Sequence, residues 1–224
     1  MDRLKQFLAR NRGFIVFMCC MLVFRSAVAD WNVVPTGSMQ PTIRIGDRIV
    51  VDKAAYDLRL PFTHVSLIHR ADPARGDIVV LESSTAGERL VKRVVGVPGD
   101  VIALRDNRLY VNGHFAQYRA IHVDGIGDDS WDPATYVTEN VDGRSHDVRW
   151  SDYHSSPDRN FGPVVVPASQ YLLMGDNRDN SRDSRYYGFF PRGEITGRAT
   201  HVVISLDPDH HYLPRGGRYW SRLE

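Results

Sequence analysis

The chain has 224 residues, and its 28 lysines and arginines are nearly balanced by 27 aspartates and glutamates, which leaves a net charge of +1. This balance argues against a nucleic-acid-binding protein, because such proteins carry a clear excess of cations. Hydrophobic residues make up 42% of the chain, which is ordinary for a domain with a packed core. The only cysteines, Cys19 and Cys20, are adjacent, so the rest of the chain can form neither a disulfide nor a cysteine-based metal site.

The N-terminus has the pattern of a targeting or anchoring segment. Residues 1–12 carry four basic side chains and one acid, and residues 13–24 have no charged or strongly polar side chain. This order predicts a cytoplasmic N-terminus and export of the remainder of the chain. The apolar run is shorter than the roughly 20 residues that span a bilayer. Two interpretations are open: a signal peptide cut after the A-x-A pattern at residues 27–29, or a transmembrane anchor over residues 13–29 whose flanking arginines reach the interfaces.

The first distinctive stretch after this segment is residues 35–42. Pro35 and Pro41 fix φ near both ends, and Gly37 permits a turn that other residues resist. The stretch therefore presents Ser38 on a rigid, irregular piece of backbone. It is either an ordinary surface loop, which its Pro, Gly, Ser and Thr content favours, or the support of a nucleophilic serine.

The remaining pattern predicts a mainly β domain of twisted antiparallel sheets or an open barrel. Its β core would comprise residues 30–118 and 163–206. An inserted irregular lobe over 119–162 would interrupt this core, and a polar, poorly packed tail over 207–224 would follow it. Short apolar runs bounded by turn residues predict strands within 45–53, 78–81, 90–95, 101–104, 109–111, 164–166, 171–174 and 197–206.

Residues 90–95 place two cations on opposite faces of one predicted strand. Lys92 and Arg93 each alternate with apolar residues, so the face that packs inward buries one of them. Burial lowers the pKa of a lysine and makes its neutral amine available as a general base. The alternative is an edge-strand lysine whose ammonium group reaches solvent.

Other polar groups give weaker signals. None of the nine histidines lies in a catalytic-triad context, and Gln40 breaks the G-x-S-x-G pattern around Ser38. No clustered ligand spacing occurs, so no metal or other cofactor is predicted. Residues 175–185 hold three aspartates, three arginines and two asparagines between apolar strands. They form either a solvated loop or a partly buried network that positions its neighbours.

Taken together, these motifs resemble those of bacterial type I signal peptidases. Four blocks occur in that family's order after one hydrophobic segment, at residues 35–42, 46–53, 91–100 and 175–185. The resemblance implies a serine endopeptidase that cleaves signal peptides from exported preproteins after small residues (A-x-A). It also implies a single-pass protein of the bacterial inner membrane, which contacts the lipid bilayer and has its catalytic domain outside the cytoplasm. The resemblance therefore favours the transmembrane anchor over residues 13–29 rather than a cleaved signal peptide.

The family pattern also implies roles for individual residues. Ser38 matches the nucleophile and Lys92 the general base, as a Ser–Lys dyad. Thr36 matches a residue whose hydroxyl, with the Ser38 backbone N–H, forms an oxyanion hole. Met39 is a candidate to line a substrate pocket.

A second set of residues matches supporting positions of the family. Ser181 and Asp183 match residues that support the lysine. Asp176 and Arg185 match structural charges that hold the loop, with Asp176 expected to pair with Arg93.

Two rival hypotheses remain at this point. One is a specialised member of the same family that matures a conjugative pilin. The other is a non-catalytic exported β domain that binds a partner through residues 175–185. The role of the 119–162 lobe and the oligomeric state are not predicted.

Overall fold

The structure, a computed structural model, describes residues 2–63, 65–123, 133–152 and 157–224. The chain opens with helices α1 (Asp2–Arg10) and α2 (Arg12–Ala27), which are separated only at Asn11. None of the helices in the described part of the chain combines the length and the apolar character needed to cross a bilayer. The anchor over residues 13–29 therefore stays a prediction.

The rest of the chain is mainly β, as predicted. A short helix, α3 (Ser184–Tyr187), lies in the loop between two late strands. The strands are β1 (Ala29–Val33), β2 (Asp47–Asp52), β3 (Asp57–Arg59), β4 (Ser66–His69), β5 (Ile78–Ser83), β6 (Glu88–Gly96), β7 (Val101–Arg105), β8 (Arg108–Val111), β9 (His114–Phe115), β10 (Gln117–Ala120), β11 (Ala134–Val141), β12 (Arg144–Ser151), β13 (Phe161–Val165), β14 (Gln170–Met174), β15 (Phe190–Pro191), β16 (Ile195–Asp207) and β17 (Leu213–Arg222).

The largest sheet is antiparallel and has the order β1-β2-β16-β5-β6-β14-β15, with β17 also paired to β16. Strand β6 lies inside this sheet between β5 and β14. Its apolar residues supply three separate core clusters: Leu90 and Val94 belong to one, Val95 to another, and Val91 packs against the third. Lys92, which lies between these residues, is therefore in the interior. Smaller sheets are formed by β13-β7-β8-β9 and by the β3–β4 hairpin.

The predicted irregular lobe contains a regular antiparallel sheet in the order β10-β11-β12. Strands β11 and β12 pair in continuous register from Ala134 and Ser151 to Val141 and Arg144. The prediction of irregular hairpins is therefore wrong for this part; residues 124–132 and 153–156 lie outside the described residues. The sequence did not predict these strands because polar side chains, not apolar ones, pair across them. One example is the 2.8 Å hydrogen bond from Thr138 Oγ1 to Asp147 Oδ1.

The predicted poorly packed tail is also wrong in part, because β17 extends the largest sheet. Arg218 Nη2 lies 2.5 Å from the carboxylate of Asp47, whose side chain is fully buried. The same nitrogen donates to the carbonyl of Thr42, at 3.0 Å. Backbone pairing and the hydrogen bonds of two arginines, Arg218 and Arg215, hold the tail. The tail therefore lacks the apolar pattern that would have predicted a strand.

Candidate active site

The segment around Ser38 is a series of tight turns. Its apolar side chains pack into the core. Gln40 N donates to Gly37 O at 3.1 Å, and Ile43 N donates to Met39 O at 2.9 Å. The side chains of Met39 and Ile43 are 1% and 0% exposed. Because these residues are buried on either side of the turn, Ser38 is held half-buried beside β6.

Lys92 points from β6 toward this serine, and its Nζ lies 2.8 Å from Ser38 Oγ. The lysine is 3% exposed, which rules out the alternative of an edge-strand ammonium in solvent. Burial lowers the pKa of Lys92, and the charges of Asp183 and Asp176 offset only part of that effect. A neutral amine at this distance can accept the proton of the serine hydroxyl.

Arg93 lies on the opposite face of β6 and is buried as well. Its Nε and Nη2 each donate to a carboxylate oxygen of Asp176 at 2.8 Å, so the structure brings the two expected partners together. Thr42 Oγ1 donates to the same carboxylate at 2.6 Å. The sequence predicted that one of the two cations is buried; in fact both are, because β6 is covered on both faces.

Asp183 and Arg185 form a second buried ion pair in the 175–185 loop. Arg185 donates through Nε and Nη2 to the two oxygens of Asp183, at 2.9 and 2.8 Å, and Gly175 N donates to Asp183 at 3.0 Å. Burial alone would raise the pKa of Asp183, but these donors lower it below its usual value. Ser181 also helps to lower that pKa, yet its hydroxyl makes no well-formed hydrogen bond to Lys92 or to any other described residue.

The family follows from comparisons with known proteins. Residues 8–204 match the model described as signal peptidase, peptidase S26. The chain is 36% identical to signal peptidase I of Pseudomonas aeruginosa, over 93% of this chain and 76% of that protein. It is 30% identical to signal peptidase I P of Bacillus subtilis subsp. natto, over 89% of this chain and 90% of that protein. The chain belongs to the signal peptidase family S26. It is therefore a serine endopeptidase that cleaves signal peptides.

Asn177 is a contact of the peptidase's serine that the sequence did not single out. Its backbone N–H donates to Ser38 O and its side-chain Nδ2 to Gly37 O, both at 3.1 Å. Gly175 permits this close approach, because a Cβ on it would lie 2.4 Å from Ser38 O. No local pattern in a polar loop indicates a partner so distant in sequence.

Arg178 connects the same loop to the inserted lobe. It donates to both carboxylate oxygens of Glu139 on β11, at 2.9 and 2.6 Å, and both side chains are almost completely buried. Tyr118 on β10 adds a third hydrogen bond to Glu139 at 2.5 Å. Asp176, Asn177 and Arg178 thus connect this one loop to β6, to the Ser38 segment and to the lobe, respectively.

Two predicted site residues, Thr36 and Met39, differ in their exposure to solvent. Thr36 is exposed, two residues before Ser38. Met39 lies in the core cluster that contains Val80, with Val91 packed against it. Met39 is thus a buried support next to the serine rather than an open pocket wall. Among the described residues, no group of His, Cys, Asp and Glu side chains is placed to hold a metal ion.

Proposed function

We propose that this peptidase uses Ser38 as nucleophile and Lys92 as general base, and that residues 13–29 anchor it in the membrane. The observation that carries the proposal is the 2.8 Å separation of Lys92 Nζ and Ser38 Oγ, with the lysine 3% exposed. The two groups meet the requirement for nucleophilic catalysis, which is a weak nucleophile within hydrogen-bond reach of a base.

The reaction would proceed through an acyl-enzyme. Ser38 Oγ attacks the scissile carbonyl carbon while its proton moves to Lys92 Nζ. The Thr36 hydroxyl and the Ser38 N–H stabilise the oxyanion that forms. Lys92 then returns the proton to the leaving amine, and the C–N bond breaks. In the second half, Lys92 takes a proton from water while the water oxygen attacks the Ser38 ester. Lys92 then passes the proton to Ser38 Oγ as the ester C–O bond breaks, which releases the signal peptide and regenerates the dyad.

The buried ion pairs supply rigidity to this dyad. Asp183 is held by Arg185, and Asp176 by Arg93, so neither carboxylate is free to form a direct ion pair that would keep Lys92 protonated. The substrate would lie as an extended strand beside Ser38. Small residues one and three positions before the cut would occupy shallow apolar pockets above the layer that contains Met39 and Val80.

The test is cleavage of a synthetic preprotein peptide with alanine one and three positions before the cut, by the full chain in detergent. We expect Ser38→Ala and Lys92→Ala to abolish cleavage and to leave thermal unfolding nearly unchanged. Ser84→Ala, at an exposed serine, is the matched control and should retain full activity. Normal cleavage by either dyad variant would contradict the proposal, and cleavage after a bulky residue would contradict the specificity.

A further inference from the structure

The β3–β4 hairpin exposes an unusual density of large apolar side chains. We call them the hairpin patch: Leu60 (44% exposed), Phe62 (70%), Val65 (57%), Leu67 (56%) and Ile68 (56%). They fall within nine consecutive positions. Single exposed hydrophobic residues are normal on a protein surface, whereas clustered ones mark a binding surface.

The patch covers both faces of the hairpin. Leu67 and Ile68 are adjacent in β4, so their side chains point to opposite faces, and both are exposed to the same extent. A hairpin that docks on another protein needs only one apolar face. Apolar residues on both faces suit a medium that surrounds the hairpin, which is what the interfacial region of a lipid bilayer provides.

The tip of the hairpin lies against the end of α2. Phe62 N donates to Ser26 Oγ at 2.7 Å, and Ser26 is in the last turn of that helix. Beside it, the Arg25 guanidinium lies 4.7 Å from the ring centroid of Trp31, which is 49% exposed. The patch is thus continuous with the end of the proposed anchor, where the chain would leave the membrane.

The charges around the patch fit an anionic lipid surface. Residues 58–71 include no acidic residue, and their exposed cation is Arg70. The stem of the hairpin is fixed to the core, since Arg59 Nη2 donates to Ile195 O and Arg192 Nη1 to Asp57 Oδ2, each at 2.6 Å. The apolar tip therefore projects from a rigid support.

We propose that the hairpin patch inserts into the headgroup region of an anionic phospholipid bilayer beside α2. The proposal rests on the anchoring role of residues 13–29. A second, rigid attachment point would stop the domain from tilting about α2 and would hold Ser38 at a fixed height above the lipid.

Depth-dependent fluorescence quenching tests this directly in the full chain. Cys19 and Cys20 are the only cysteines, so Cys19→Ser with Cys20→Ser gives a background for a single probe. An environment-sensitive fluorophore would be attached in the Phe62→Cys variant. The matched control is Phe115→Cys, because Phe115 is 58% exposed in a different sheet. A third protein, with only Cys20→Ser, carries the probe at Cys19 and reports on the anchor. All three are reconstituted in phosphatidylethanolamine–phosphatidylglycerol vesicles with spin-labelled lipid.

We expect strong quenching and a blue shift at position 62 and neither effect at position 115. Quenching at Cys19 without quenching at position 62 would overturn the hairpin proposal and leave the anchor intact. Absence of quenching at all three positions would overturn the anchor and the hairpin together. Cleavage of the soluble peptide does not depend on either result, so a failure of the Ser38–Lys92 mechanism is detected separately.

An activity measurement gives independent support. Leu67→Ser combined with Ile68→Ser should slow the processing of a vesicle-bound preprotein several-fold and leave cleavage of a soluble peptide in detergent unchanged. An equal loss in both assays would overturn the proposal, because it would indicate damage to the fold.

Discussion

Lys92 and Arg93 are neighbours in sequence and are equally buried, but their chemistry differs. Arg93 makes a two-bond ion pair with Asp176, and a guanidinium remains charged in proteins. Lys92 forms no ion pair with any described residue; its near contact is the hydroxyl of Ser38. Burial therefore lowers the pKa of Lys92 and favours its neutral form, while Arg93 serves as a fixed charge.

The lowered pKa of Lys92 predicts a characteristic pH dependence. The value of kcat/KM should rise about tenfold per pH unit and level off below 10.5, the ordinary pKa of lysine. Between the lowered pKa and 10.5, the unfolded chain binds a proton at Lys92 that the native state lacks, so this residue's contribution to stability also rises with pH. A pH–rate profile on the peptide substrate measures the first effect. His146→Gln should leave the rise of kcat/KM at the same pH. A rise that levels off only near pH 10.5 would contradict a buried neutral base.

Thr36 allows a test of the oxyanion hole without disturbing the core, because it is exposed. Thr36→Val should lower kcat by about 10²–10³-fold, equivalent to about 2.7–4 kcal/mol of transition-state stabilisation, if its hydroxyl stabilises the oxyanion. Thr36→Ser keeps the hydroxyl and should retain most of the activity. Steady-state kinetics measure kcat for both variants. A near-normal kcat for Thr36→Val would show that the Thr36 hydroxyl does not stabilise the oxyanion.

At the level of elements, the inserted lobe and the catalytic core are joined by the Glu139–Arg178 ion pair. Glu139→Gln would leave the buried guanidinium of Arg178 without its counter-charge, so we expect a loss of about 3–5 kcal/mol in the free energy of unfolding. Activity should also fall, since Arg178 adjoins the Asn177 that holds Ser38 in place.

The control for this change is Glu82→Gln, which breaks an ion pair with Arg89 whose side chains are 39% and 47% exposed. That loss should not exceed about 1 kcal/mol. Urea unfolding measures both variants. Equal, small effects on the free energy of unfolding would show that the Glu139–Arg178 ion pair does not stabilise the fold.

The strands that the sequence predicted are those whose apolar residues alternate or run together, such as β5, β6 and β14. Alternation in β6 was enough to place Lys92 between buried neighbours. Strands β10–β12 and β17 were not predicted, since polar pairs and backbone bonds hold them. Asn177 was missed for a related reason: its partners, Gly37 and Ser38, lie about 140 positions earlier, and such a contact leaves no local trace.

At the scale of the whole molecule, the last strand contacts the segment that follows Ser38. Arg218 on the last strand bonds to Asp47 and to Thr42, and Thr42 in turn bonds to Asp176. Arg218→Gln should cost about 3–5 kcal/mol, because the Asp47 carboxylate would lose its buried counter-charge. Thermal unfolding measures this, and Arg222→Gln, at a 76% exposed side chain, is the control. A variant as stable as the control would show that the Arg218–Asp47 ion pair does not stabilise the fold.

The short stretch 176–178 has a consequence for engineering. Each of its three residues has a different partner, and successive side chains are directed to different parts of the molecule. Inserting even one residue here would assign every side chain to the wrong partner, so the length of this loop is as restricted as its composition. The turn at Asp142 and Gly143 joins β11 to β12, and both residues are exposed. It is the place in the lobe where added sequence, such as an affinity tag, should leave the Ser38 geometry unchanged.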